Sequence, residues 1–420
     1  MARRPSRGSA PRRGAGDWID DLPFGTIVLH RTVGLYRNLE QTVFPERATP
    51  AGLANARARV LDALSAAGAA SHRPLAVLDG SFASLLDPAT GPGPAYFAGL
   101  PLPRDPKASR WDEATFADLG GGAMTAVVNA EDHLALFDRS EGPFVRQWKT
   151  LDLVADAVGK TAPFAYAPDY GHLAANPDHV GTGLVLSCDV SLFGLCIDRS
   201  LDASLRALDR LGFLTEPVYG PFPGEDSPVE APGCLYRIVS ARDTGAARDI
   251  VARMDAVCRE VARQEQNARL RLLDDRSPEL LDFVARSVAA GAYAHAAPAS
   301  EAIDLALAAI FAADLGLLRL RKRELEPLLA LPALLAAEAA AAPAAHGDAE
   351  AKDGTAAHGG AEAKDGAAAD GGTEEKKSKD APSAHGRDTD ADTTERRAAR
   401  AALLAPVFRP LLPQLDRLGD

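Results

Sequence analysis

A short polar run after a predicted strand carries the side chains best suited to acid–base chemistry. Glu131, Asp132 and His133 follow the β-branched stretch Thr125–Asn129. A carboxylate pair next to a histidine is the kind of grouping that general acid–base catalysis uses. The alternative is structural, since the same polar residues can cap a turn beside a sheet.

A second polar run, residues 164–184, leads through a predicted loop into another strand. It contains His172 and His179, which are the right residue type for a metal ligand. No carboxylate or cysteine lies at ligand spacing, so we expect two solvent-facing histidines and no metal site. The sequence also lacks the P-loop, the dinucleotide-binding glycine motif, HExxH and the GxSxG elbow.

The elements that position these runs predict an α+β fold. Residues 26–29, 125–129, 183–190 and 234–239 read as strands, because they are rich in β-branched or aromatic residues and bounded by Gly or Pro. Residues 49–67 and 246–273 place apolar side chains at helical spacing. The strands and helices alternate irregularly, which favours α+β over a doubly wound sheet.

The composition predicts five segments. We expect a disordered basic N-terminus over residues 1–16, an α+β domain over 17–276, a helical domain over 277–338, a disordered insert over 339–394 and an apolar tail over 395–420. The insert is rich in Ala, Gly, Asp and Lys and has too few large apolar residues to fold. The tail either docks on the helical domain or serves as a short linear motif for a partner.

Charge and cysteine content exclude several classes of protein. A formal net charge of -12 argues against a general nucleic-acid binder. Four cysteines without a CxxC pair exclude a zinc ribbon and fit reduced thiols in the cytoplasm. The basic start of the chain is followed by no apolar signal region, and we expect no membrane span.

The polar runs resemble those of the ATP:guanidino phosphotransferases, in particular the bacterial protein-arginine kinases. The family run VNEEDHLR is matched by residues 128–134 with Ala130 in place of the first glutamate, and GYLTSCPTNxGTGLR is matched by 171–184. Residues 30–39 match SSRIRLARNL in outline, and 261–269 look like IIxQERxAR. The resemblance covers roughly residues 17–335 in colinear order.

The resemblance implies a large antiparallel sheet flanked by helices, followed by a small α-helical domain. It also implies phosphoryl transfer, in which arginines hold the ATP phosphates, Mg²⁺ bridges them and carboxylates hold the acceptor guanidinium. On this mapping the acceptor-site carboxylates are Glu131 and Glu225. Asn176 takes the place of the cysteine beside the acceptor.

The positions that the family fills with phosphate-binding arginines hold other residues here, namely Thr32, Gly34, Ala135, Val185 and Glu216. Arginine binds phosphate through two charge-assisted hydrogen bonds. At about 1.5 to 3 kcal/mol for each such partner, five losses forfeit on the order of 7 to 15 kcal/mol before non-additivity. Arg31 is displaced by one residue and so should face the opposite side of its strand. Arg237 and Arg242 are the candidate substitutes.

We therefore predict a degenerate family member whose nucleotide-phosphate site is dismantled and which acts as a binding or regulatory subunit. Its expected partners are an active kinase homologue or an arginine-bearing protein, with a dimer through the helical domain. Two alternatives remain: an active ATP- and Mg²⁺-dependent kinase with relocated phosphate ligands, or an unrelated α+β protein with accidental motif matches.

Overall fold

The computed structural model describes residues 27–70, 72–86, 92, 94–97, 100–101, 110–140, 142–219, 231–240, 245–275, 277–320, 328 and 394–418. The predicted disordered N-terminus, nearly all of the predicted insert, Glu225 and Arg242 lie outside the described residues.

The described strands and helices follow the predicted α+β pattern. The strands are β1 Val28–Arg37, β2 Leu75–Leu78, β3 Thr115–Leu119, β4 Met124–Val128, β5 Leu134–Asp138, β6 Tyr166–Ala167, β7 Gly171–His172, β8 Leu184–Ser191, β9 Phe213–Pro217 and β10 Leu235–Ser240. The α-helices are α1 Pro50–Ala70, α2 Phe82–Leu86, α3 Phe144–Gly159, α4 Phe193–Ile197, α5 Leu201–Arg210, α6 Ala247–Asp274, α7 Pro278–Tyr293, α8 Ala299–Asp314 and α9 Thr394–Phe408.

Eight strands form one sheet in the order β2-β3-β4-β5-β1-β8-β10-β9, and each neighbouring pair is antiparallel. The fold-class prediction of a large antiparallel sheet flanked by helices is confirmed. Strand β1 lies near the middle of the sheet, between β5 and β8. Residues that alternate along β1 therefore point to two different environments.

One face of the sheet packs on α1, α3 and α6 and forms the main core. Val33 and Leu35 of β1 point into it, together with Leu186 and Val190 of β8 and Met254 of α6. These side chains are at most 1% exposed, which is the burial that apolar residues need to stabilise a sheet. The opposite face carries Thr32, Gly34 and Tyr36, and it holds the candidate site.

The helices that follow the sheet form a second core, and the apolar tail is part of it. Helix α9 packs on α7 and α8 through Leu404 and Phe408, which are nearly or fully buried. A Cβ on Gly291 of α7 would collide with the Phe408 ring, so only glycine leaves room for that ring. The backbone N–H of Ala297 also donates to the Arg397 carbonyl at 2.9 Å. Of the two roles considered for the tail, the structure shows the docked one.

The cysteines pair in a way that the sequence did not predict. Cys196 in α4 and Cys234, just before β10, form a disulfide, so the expectation of four reduced thiols is wrong for this pair. No sequence feature indicated this disulfide, because the two cysteines are 38 positions apart and belong to no known cysteine motif. Cys188 and Cys258 are free and buried, with their Sγ atoms 3.0 Å apart.

Among the described helices, none combines the length and the apolar character that crossing a bilayer requires.

Candidate functional site

The five positions matched to the family's phosphate-binding arginines lie on one face of the sheet. In the strand register, Thr32 pairs with Ser187, Gly34 with Val185, and Tyr36 with Ala135. Directly paired residues share a face, as do alternate residues of one strand. A further row across the same face runs from His30 to Asp189, then to Arg237, and ends at Glu216 on β9. Arg31 points to the other face, as predicted, and donates to the Gly142 carbonyl.

A cavity of about 440 Å³ opens on this face, a volume within the usual range for small-molecule sites. Its charged or polar side chains are Glu131, Asp132, Asn176, His179, Glu216 and Arg237, and its remaining lining is Tyr36, Pro101, Trp111, Val127, Ala130, Ala135, Pro217 and Val218. The cavity thus brings Glu131, Ala135, Glu216, Asn176 and the candidate substitute Arg237 together. Thr32, Gly34 and Val185 lie beside it on the same face.

Aromatic rings occupy the space next to Gly34 and Ala135. A Cβ on Gly34 would lie 3.2 Å from both the Phe137 and the Tyr36 rings. Those two rings pack edge to face, with their centroids 5.8 Å apart. Phe137 and Ala135 belong to a buried cluster that also contains Trp111. Even the Cβ of a larger residue at position 34 would require these rings to shift by a few tenths of an ångström.

Arg237 lies in the cavity wall but is already bound to a carboxylate. Its guanidinium donates to both oxygens of Asp189, at 2.8 and 3.0 Å, and to the Leu100 carbonyl at 3.3 Å. Both side chains of the pair are at most 7% exposed. Burial opposes the charge on Arg237, but the adjacent Asp189 raises its pKa above the ordinary value. The guanidinium therefore stays charged while its charge is compensated within the protein.

The carboxylate pair sits in the tight turn between β4 and β5. The backbone N–H of Asn129 donates to the His133 carbonyl and closes this turn, with Asn129 at a positive φ of 60°. Asp132 Oδ1 accepts hydrogen bonds from the Asn38 side chain and from the Ala175 N–H, the latter at 2.7 Å. Asp132 thus ties the turn to neighbouring segments, and so does His133, whose Nδ1 accepts from the Leu39 N–H at 3.3 Å.

The same turn brings two carboxyl groups to the cavity wall. Asp132 is 2% exposed, and its Oδ2 has no hydrogen-bond partner among the described residues. Glu131 is half-buried in the cavity wall. Burial raises the pKa of both carboxyls, and the neighbouring Asp132 raises that of Glu131 further. Burial in the cavity wall therefore disfavours the anionic form of both carboxyls.

The two histidines are not solvent-facing, so that expectation is wrong. His172 and His179 are both half-buried, and burial lowers the pKa of each to about 4. The His179 ring stacks on Tyr36 with centroids 4.0 Å apart, which explains its burial. In the described part of the chain, no cluster of His, Cys, Asp or Glu has the arrangement of a metal site.

Asn176 and Glu216 complete the cavity in different ways. Asn176 caps the short 3-10 helix Pro177–His179 by accepting from the Asp178 N–H at 3.0 Å. Glu216 is exposed and lies at the cavity rim.

Sequence reasoning missed Asp189, the residue that binds Arg237. The sequence feature that could have indicated it is a charged residue, Asp189, within the otherwise mostly apolar strand β8.

The residues present do not fit the polyphosphate of ATP. The cavity lining contains three acidic residues, Glu131, Asp132 and Glu216; burial lowers the pKa of His179 to about 4, and Arg237 is paired with Asp189. A polyanion needs a cationic lining to replace its hydration. None of the described positions matched to the family's phosphate arginines carries a positive charge.

Comparisons with known proteins place the matching region over this site. The family described as "ATP:guanido phosphotransferase, C-terminal catalytic domain" matches residues 110–268. The protein-arginine kinase of Halothermothrix orenii is 28% identical over 298 residues, which cover 70% of this chain and 81% of that protein. The protein-arginine kinase of Shouchella clausii is 33% identical over 170 residues, which cover 40% of this chain and 46% of that protein.

A duplicated taurocyamine kinase from Schistosoma mansoni aligns in three dimensions with 18% identity and a TM-score of 0.47, over 61% of this chain and 36% of that chain.

Proposed function

Because the chain belongs to the ATP:guanido phosphotransferase family, we propose that it keeps the scaffold of a protein-arginine kinase but has lost nucleotide binding and acts as a binding or regulatory protein. One observation carries this proposal: Arg237, the described guanidinium that lines the cavity, is held by both oxygens of Asp189. The phosphate-clamp positions around it are uncharged or acidic.

The number of missing phosphate-binding arginines supports loss of catalysis. A single arginine that stabilises the transferring phosphoryl group is worth about 10³ to 10⁵ in rate. Here five such positions lack arginine, and Glu216 adds a negative charge at the rim. Hydrogen bonds to charged groups contribute about 1.5 to 3 kcal/mol each, so five lost partners forfeit on the order of 7 to 15 kcal/mol before non-additivity.

The acidic end of the cavity supports binding of a cationic side chain. Glu131 matches the position that grips the acceptor guanidinium in the family, and the buried Asp132 lies next to it in the cavity wall. We therefore propose an arginine-bearing protein as the partner class, and an active kinase homologue as the second partner class.

An active kinase with relocated phosphate ligands is the second candidate function. The observation that favours it is the position of Arg237, which lines the cavity and whose pKa stays raised. On this alternative, ATP would have to displace Asp189 from the guanidinium. Mg²⁺ would accompany the nucleotide.

The test is phosphoryl transfer to an arginine-rich protein from γ-³²P-labelled ATP in the presence of Mg²⁺. We expect no acid-labile label on arginine, at a sensitivity that detects a rate 10³-fold below that of an active protein-arginine kinase assayed in parallel. Labelled phosphoarginine that disappears in the Arg237→Gln variant would overturn the proposal and establish the second candidate.

A further inference from the structure

The disulfide lies where the sheet meets the second core. Cys196 is in α4 and Cys234 directly precedes β10, and both residues are half-buried, so their sulfur atoms lie near the surface. The Leu192 N–H donates to the Cys234 carbonyl at 3.0 Å. The Gly233 N–H donates to the Asp304 carboxylate of α8. The start of β10 is thus tied to α4 by the cross-link and to α8 by a hydrogen bond.

The loop that the disulfide closes carries one wall of the cavity. It runs from Cys196 to Cys234 and includes β9, which lies at the edge of the sheet and pairs only with β10 among the described strands. The cavity-lining residues in this loop are Glu216, Pro217 and Val218. The Val218 N–H donates at 3.1 Å to the carbonyl of Leu235, the residue after Cys234. This wall is therefore held by a strand whose first residue adjoins the disulfide.

The backbone of Cys234 adopts a conformation that few residues with a side chain adopt. Its φ is 45°, in the left-handed region, where the Cβ atom crowds the backbone. Such a conformation persists only where the surrounding structure fixes it. The bond to Cys196 is one of the restraints that fix it, so breaking this bond allows the turn before β10 to relax.

We propose that Cys196–Cys234 is a thiol–disulfide exchange site, and that its reduction loosens the β9 wall of the cavity. As regulation of binding at the cavity, the inference rests on the proposed function, whereas the exchange site itself does not. With the disulfide formed, the wall is ordered and the cavity has its complete lining. With the disulfide reduced, the edge strand opens more often and the cavity binds its partner more weakly.

The exchange needs a dithiol as the reductant. A thiolate of the dithiol attacks one sulfur of the pair, the protein S–S bond breaks, and the other cysteine leaves as a thiolate that takes up a proton. The second thiol of the reductant then displaces the first cysteine from the mixed disulfide. Two electrons pass from the reductant, which becomes a disulfide, to the protein, which gains two thiols. A small disulfide such as glutathione disulfide reverses the reaction and is itself reduced to two thiols.

The other two cysteines are protected from this chemistry. Cys188 and Cys258 are 1% and 0% exposed. The hydrogen bond with Cys258, together with burial, raises the pKa of the Cys188 thiol. Because the thiolate is the reactive form, we expect exchange to be confined to Cys196 and Cys234. Iodoacetamide applied to the native protein after reduction should modify these two cysteines alone. Modification of Cys188 or Cys258 in place of this pair would overturn the assignment of the site.

Hydrogen–deuterium exchange of the full-length protein, read by mass spectrometry, tests the effect on the wall. The oxidised protein and the protein reduced with dithiothreitol are labelled for seconds to minutes. We expect the amides of β9 and of residues 232–240 to exchange at least tenfold faster after reduction. Strands β4 and β5, which supply lining residues from within the sheet, should stay protected in both states, since they open only in larger unfolding events.

Variants provide the matched controls. The double variant Cys196→Ser/Cys234→Ser should exchange at the reduced rate with or without dithiothreitol. Cys258→Ala keeps the disulfide and should keep the response to dithiothreitol. The comparison of oxidised and reduced wild type needs no variant, so the test stands even if a variant folds poorly.

Three results would overturn the exchange site as a switch. They are unchanged exchange of β9 on reduction, equal acceleration in β4 and β5, and failure of glutathione disulfide to restore protection. Calorimetric titration of a nona-arginine peptide into both redox states tests the regulation, and we expect at least fivefold weaker binding after reduction. Equal affinity in the two states contradicts the regulation. Absence of peptide binding in both states contradicts the proposed partner class, and with it the regulation, while the deuterium measurement still decides the exchange site.

Discussion

Arg237 and Asp189 face each other on neighbouring strands, and the guanidinium donates to both carboxylate oxygens, at 2.8 and 3.0 Å. In this buried pair Asp189 compensates the positive charge of Arg237, so this side chain of the cavity wall joins two strands of the sheet. An arginine in the right place is therefore not sufficient for phosphate binding when its charge is paired and three of its five N–H donors already bind Asp189 and Leu100.

Replacing Asp189 by asparagine should destabilise the fold strongly. The change leaves the Arg237 charge buried without its counter-ion, a defect that costs about 3 to 5 kcal/mol. Urea unfolding of Asp189→Asn measures the loss, and Asp209→Asn on the exposed side of α5 is the matched control. A loss below about 1 kcal/mol would show that the pair contributes little.

Replacing Gly291 by alanine should loosen the docked C-terminal segment. An exposed helical Gly→Ala change usually stabilises by up to about 1 kcal/mol, but here the new methyl group meets the Phe408 ring. We expect a net loss of about 1 to 3 kcal/mol from overpacking. Thermal unfolding checks this, with Gly52→Ala in α1, where a Cβ meets only ordinary contacts, as the control. A stabilised Gly291→Ala variant would contradict the docking of the Phe408 ring on this glycine.

The sequence predicted the strands that carry Arg237 and Asp189 but not the contact between these two residues. The positions of β4, β8 and β10 were predictable, because β-branched residues and bounding Gly or Pro are local signals. The pairing of Arg237 with Asp189 depends on the register of two strands that are 48 residues apart along the chain. No local pattern encodes such a register. One of the two aromatic rings at Gly34, that of Phe137, comes from β5, and its position was unpredictable for the same reason.

Reduction of the disulfide should lower stability measurably. Cys196 and Cys234 close a loop with a sequence separation of 38. The chain-entropy relation for a loop of that size gives about 4 kcal/mol. Urea unfolding with and without a dithiol reductant tests this, and the Cys196→Ser variant should show the lower value under both conditions. An unchanged midpoint on reduction would contradict the predicted contribution.

Stability should fall as the pH decreases from about 6.5 to about 4. Burial lowers the pKa of His133, His172 and His179 to about 4, whereas an unfolded histidine binds its proton near pH 6.5. The unfolded state therefore binds more protons in this window, and the free energy of unfolding decreases with decreasing pH. The raised pKa values of Glu131 and Asp132 act in the opposite direction, because their protonation favours the folded state.

Urea unfolding at pH 7 and pH 5 separates the two contributions. His133→Asn should reduce the fall in stability between these pH values, because His133 is fully buried. Glu131→Gln should enlarge that fall, since it removes an opposing group. Equal pH dependence in the wild type and in His133→Asn would contradict the assignment.

We expect this cavity not to accept nucleotide phosphate. Calorimetric titration of Mg-ATP into the full-length protein measures this directly, with an active protein-arginine kinase as the positive control. We expect no saturable binding at submillimolar nucleotide. A dissociation constant in the micromolar range, abolished by Arg237→Gln, would contradict it.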